Sequence, residues 1–116
     1  MNSIITTREL FAIGVACAAV LVSSSASALD AAGAEKLARQ EGCLRCHGID
    51  RAKDGPAYKE IAAKYKGKAD MEAKLISHLS SGRKVKFEDG HEEEHKIPKT
   101  KDPEQIKNLI QWILSL

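Results

Sequence analysis

The chain has 116 residues, 18 Lys and Arg against 16 Asp and Glu, and a formal net charge of +2. That near balance argues against a nucleic-acid binder, and the length allows one small domain with no internal repeat. A domain of this size buries only about 60% of its unfolded surface, so it calls for a staple, a metal or a cofactor.

The N-terminus reads as a secretory signal peptide over residues 1–28. Arg8 lies in a short charged region, Phe11 to Val22 form an apolar run, and Ala26-Ser27-Ala28 is a small-residue cleavage site. The run is too short to span a bilayer, and retention as an anchor is the lesser alternative. Cys17 lies inside it, with Gly14 where a lipid-attachment site wants leucine, so no lipoprotein is read there. The expected domain is residues 29–116, in an exported, periplasmic protein with no membrane attachment after cleavage.

Asp30 is placed to cap a helix over Ala31 to Glu41, with Ala34, Leu37, Ala38 and Glu41 in helical register and Gly42 as its stop. A loop carrying Gly55-Pro56 precedes a short helix from about Ala57 to Lys66. Asp70 is expected to cap a third helix, whose Met71, Leu75, Ile76 and Leu79 stripe stops at Ser80-Ser81-Gly82. The stretch 83–101 is polar. Asp102-Pro103-Glu104-Gln105 then signals an N-cap, an N1 proline and Gln at N3 of a last helix bearing Ile106, Leu109, Ile110, Trp112 and Ile113. No segment has strand periodicity, so an all-α fold of about four helices is expected.

Between the first helix and the Gly-Pro loop stands "GCLRCHG", which holds the only cysteines outside the leader, Cys43 and Cys46. A thioredoxin-like disulfide would need a βαβ sheet that the chain lacks, and a zinc site would need a fourth ligand beyond Cys43, Cys46 and His47. Two free thiols suit an oxidising compartment poorly. C-x-x-C-H accounts for every residue as covalent c-type haem attachment: two thiols one turn apart reach two vinyl groups, and the next histidine lies under the iron.

The stretch "GHEEEHKIPK" matches the zinc-protease pattern H-E-x-x-H in letters only. Both histidines would have to share one helical face, yet Gly90 precedes them, Pro98 follows, and no apolar stripe would seat such a helix. A solvated acidic loop is expected. Charge is unevenly spread around it: Arg45 to Lys86 holds eleven bases against five acids, while Glu88 to Glu94 holds five acids and no base.

These features together resemble the class I c-type cytochromes, most closely the small monohaem bacterial electron carriers. The resemblance runs from the first helix through "GCLRCHG" and "DGPAYKEIAAKY" to "IQWILSL". It implies four helices wrapped around one covalently bound haem c. Cys43 and Cys46 would carry the thioethers and His47 would be the proximal ligand, its imidazole bonded to the Pro56 carbonyl. It implies further that the first and last helices cross, setting Ala34, Leu37 and Ala38 against Leu109, Trp112 and Ile113. Many relatives carry an aromatic residue at the Ala38 position.

The chain departs from the family in the loop before the last helix, which lacks the usual ligand methionine; the only Met beyond the leader is Met71. His95 is the expected sixth ligand: its place in the loop favours it over His91 at the acidic edge, and neutral imidazole is available near pH 7 whereas Lys96 or Lys99 must first lose a proton; His78, beside Leu75 and Leu79, is expected at the rim. The implied function is single-electron transfer, without enzymatic chemistry, between redox partner proteins such as a periplasmic dehydrogenase or an oxidase-chain component. Arg45, Lys53, Lys84 and Lys86 are expected around the haem edge. An open sixth site would indicate a gas-binding or sensing haem protein instead, and a peroxidase would need a distal acid-base pocket.

Overall fold

Asp30 starts the first ordered element in the computed structural model, which describes residues 28–116; the leader read from the sequence lies almost wholly outside the described residues. Its carboxylate accepts the Gly33 amide at 2.8 Å and opens α1, Ala31–Gln40. Gly42, with φ of 73°, ends that helix in a left-handed turn and delivers the chain into a 3-10 turn over Cys43–Arg45. Next come α2, Tyr58–Tyr65, and α3, Met71–Ser81. Strands β1, Lys84–Lys86, and β2, Glu92–Glu94, precede α4, Pro103–Ser115.

The expected caps of α1 and α4 are present, since the Asp102 carboxylate accepts the Glu104 amide at 2.9 Å. Asp70 differs. It sits at φ of 64° and its side chain makes no cap bond, so α3 begins after a left-handed residue rather than at a conventional N-cap. At α2 the reciprocal bond comes from Glu60, whose carboxylate accepts the Ala57 amide at 2.9 Å.

The absence of strands expected from the sequence is corrected by the hairpin. Strands β1 and β2 pair antiparallel with Lys84 opposite Glu94, Val85 opposite Glu93 and Lys86 opposite Glu92. Apolar alternation could not reveal it, because only Val85 among the six paired residues is even half-buried. The legible signal was Asp89-Gly90 at the turn.

Helix α4 is the spine, packing against α1, α2 and α3. Ala34 and Ala38 are buried at 1% and 0% exposure, so α1 approaches α4 on two methyl-sized residues and needs no aromatic at Ala38. Leu109, Ile110, Trp112 and Ile113 fill the other side, and Tyr58 meets the Trp112 ring edge-on at 5.8 Å. Leu37, Leu75, Ile76 and Leu79 border this core half-buried. The described residues contain no helix long and apolar enough to cross a membrane.

Candidate functional site

The C-x-x-C-H segment is folded tightly by its own backbone. Cys46 and His47 amides both return to the Cys43 carbonyl, at 3.3 and 3.0 Å, so the three side chains emerge from one turn. The Gly55 amide bonds the Cys46 carbonyl at 2.8 Å and the Tyr58 amide bonds that of Gly48 at 2.8 Å, tying the turn to the start of α2. A side chain at Gly55 would put its Cβ 2.7 Å from the His47 ring, so the close approach requires glycine.

His47 Nδ1 lies 2.7 Å from the Pro56 carbonyl. A carbonyl only accepts, so Nδ1 carries the proton and Nε2 keeps a free lone pair. Tyr58 stacks on the His47 ring at 5.3 Å, and Trp112 braces Tyr58 from behind, so the imidazole rests on the core of α4. Cys43 and Cys46 are half-buried and unpaired. Burial pushes the Cys43 thiol up, against a hydrogen bond from Tyr58 that pulls it down.

The loop between α3 and α4 brings His95 to face this turn. Its ring lies 6.1 Å from that of His47, at 54°. Its Nδ1 is 3.1 Å from the Lys96 carbonyl, which by the same reasoning leaves Nε2 free. A metal between two imidazoles, with bonds of about 2 Å on each side, separates the ring centres by roughly 6 Å. The observed 6.1 Å is of that size, so the spacing suits one iron between the two rings, and burial holds His95 below its ordinary range.

The other candidates fall away by position. His91 is at the hairpin tip, stacked on Phe87 at 4.2 Å, with its ring nitrogens on Asp89 and Glu93. Four strand residues at about 3.3 Å each put it some ~13 Å along the chain from His95, too far to share a zinc. Neither this pair nor any other group of three or more His, Cys, Asp and Glu among the described residues is arranged to hold a metal ion. The Lys96 ammonium turns away to Gly42, and the Lys99 amide is held by the Glu41 carboxylate at 2.9 Å. Met71 opens α3, half-buried.

His78 is closer to the centre than a rim residue. Its ring lies 4.6 Å from His95, and burial, with His95 and Arg83 nearby, lowers its pKa. Its place beside Leu75 and Leu79 on the inward stripe of α3 was the available signal. Lys84 and Lys86, expected around the haem edge, lie on β1 opposite glutamates. Arg45, Lys53 and Lys96 do gather at the cysteine turn: Lys53 Nζ donates to the Leu44 carbonyl at 2.6 Å, and Lys96 Nζ and Arg45 Cδ flank Gly42.

The Cytochrome c family model matches residues 31–116. Cytochrome c2 of Rhodocyclus tenuis is 36% identical over 81 residues, which is 69% of this chain and 88% of that protein. The crystal structure of class 1 cytochrome MtoD from Sideroxydans lithotrophicus ES-1 superposes with a TM-score of 0.71 at 61% identity, covering 76% of this chain and 97% of that one. Nitrosomonas europaea cytochrome c552 superposes with a TM-score of 0.56 at 29% identity, covering 71% and 98%.

Proposed function

The chain belongs to the class I c-type cytochromes, and from that premise we propose that it is a periplasmic electron carrier whose iron is held by His47 and His95. Members of this family carry one covalently bound haem c and pass electrons between redox partner proteins. Cys43 and Cys46 are the thioether positions, and His47 is the proximal ligand with Pro56 as its hydrogen-bond acceptor. The leader at residues 1–28 supports export. A periplasmic dehydrogenase or an oxidase-chain component suits the partner role.

Haem c supplies a one-electron couple; no bond in a substrate is made or broken. The residues govern that couple. The Pro56 carbonyl makes the His47 imidazole a stronger donor and fixes its plane, and the Lys96 carbonyl does the same for His95. Ligation by two imidazoles lowers the potential relative to His/Met relatives, since methionine is the ligand that raises it.

The observation that carries the reading is the pair of facing imidazoles, each with Nδ1 engaged and Nε2 free. Absorption spectra of the reduced protein with and without carbon monoxide test it. The wild type is expected to stay six-coordinate and to take up CO slowly, whereas His95→Ala opens the iron to rapid binding and His95→Met raises the potential. An unchanged spectrum in His95→Ala overturns the assignment and directs the same test to His78→Ala. A wild-type iron that binds CO rapidly and completely would favour gas binding.

A further inference from the structure

The ligand histidine on the distal side is not anchored in the helical core. His95 follows β2 directly, and its amide donates to the Arg83 carbonyl at 2.9 Å, one rung beyond the paired residues. Resting on the ligation proposed above, we propose that the β1–β2 hairpin is the clamp that keeps His95 on the iron, with Lys84 and Lys86 as positioning residues acting through the glutamates opposite them.

The two strands have almost no apolar means of holding together, and the hairpin's aromatic contact, His91 stacked on Phe87, lies at the tip. The one half-buried strand residue, Val85, faces Glu93, and an isolated two-stranded hairpin is marginal in water. Its cohesion is polar. The register sets two lysines against the outer two of three consecutive glutamates, and opposite charges across a ladder attract where like charges repel. At the tip the Phe87 amide bonds the His91 carbonyl at 2.9 Å, the Gly90 amide bonds that of Phe87 at 3.0 Å, and the His91 ring bridges Asp89 and Glu93. Without Lys84 and Lys86, β2 would be a run of mutually repelling carboxylates leading straight into the ligand.

Beyond His95 the loop is pinned by other means. Pro98 is buried, and Glu41 holds the Lys99 amide at 2.9 Å. Residues on this far side stay in place when the hairpin opens, so opening frees His95 without detaching the loop. The rate of CO binding to the reduced protein reads that freedom directly, because a six-coordinate iron accepts CO only after a ligand leaves. CO is uncharged, so surface charge does not alter its encounter with the protein.

In the haem-loaded protein, Lys84→Glu with Lys86→Glu is expected to raise the CO-binding rate roughly tenfold, and Lys84→Gln with Lys86→Gln to raise it less. Adding Glu92→Lys and Glu94→Lys to the reversed pair restores the slow rate. Lys66→Glu with Lys68→Glu, the same charge change between α2 and α3, leaves it unaltered. A slow wild type whose glutamine and glutamate variants stay equally slow overturns the clamp alone, as does failure of the fourfold exchange to restore the rate. A wild type already open to CO overturns the ligation and the clamp with it.

Discussion

His91 and His95 are the same side chain at the two ends of HEEEH, and their surroundings give them opposite chemistry. His95 is half-buried and held neutral, whereas His91 is exposed between two carboxylates. The bond to Asp89 raises the His91 pKa above its ordinary 6.5, with Glu93 adding to it. Its contribution to the hairpin tip is therefore complete below 6.5 and is lost as pH rises through the higher folded value. Asp89 is the mirror case. Bonds from the His91 amide and ring depress it below 3.8, so its contribution is present above 3.8 and lost as pH falls through the lower folded value. Proton NMR of the His91 ring should give a midpoint above 6.5 that Asp89→Asn brings back towards it; an unshifted wild-type midpoint would remove the contact from the solution structure.

Helix ends and crossings carry the next set of consequences. Asn108 on α4 clasps the start of α1, its amide donating to the Asp30 carbonyl at 2.8 Å while its oxygen accepts the Asp30 amide at 2.9 Å. Asn108→Ala loses both bonds and should cost about 1–2 kcal/mol, read as a lower denaturant midpoint in the haem-loaded protein. Ala38 is fully buried in the same crossing. Ala38→Phe overfills it and should destabilise by roughly 1–3 kcal/mol, because close-packed interfaces tolerate added volume poorly.

Across the whole molecule, two features govern behaviour: a small core and a divided charge. The buried residues form one small cluster of α1, α2 and α4, and the bordering Leu75, Ile76 and Leu79 of α3 are only half covered. Cys43→Ala or Cys46→Ala should therefore leave a largely unfolded chain, visible as lost helical circular dichroism and as a protein mass lacking one haem. Arg45, Lys53 and Lys96 ring the cysteine turn while Glu88, Asp89 and Glu92 to Glu94 crowd the hairpin. Association with an acidic partner through the basic turn should slow as ionic strength rises, since screening lengths fall to about 10 Å at 0.1 M salt. Stopped-flow rates indifferent to salt would reduce these charges to an ordinary solvated surface.

What the sequence by itself determined is local in the chain. The haem-attachment motif, Asp30 and Asp102 as caps, Gly42 as a stop and the apolar stripe of α4 each act within a few residues, so their physics is legible in the letters. Asp70 misled because an aspartate before a helix usually caps it, whereas here the backbone enters from the left-handed region. The tertiary structure decided that the His95 ring lies against that of His47, that His78 touches His95, and that an acidic stretch without apolar alternation pairs with two lysines as a hairpin. Each of these joins segments distant in sequence, and strand register and loop path depend on what the helices have already placed around them.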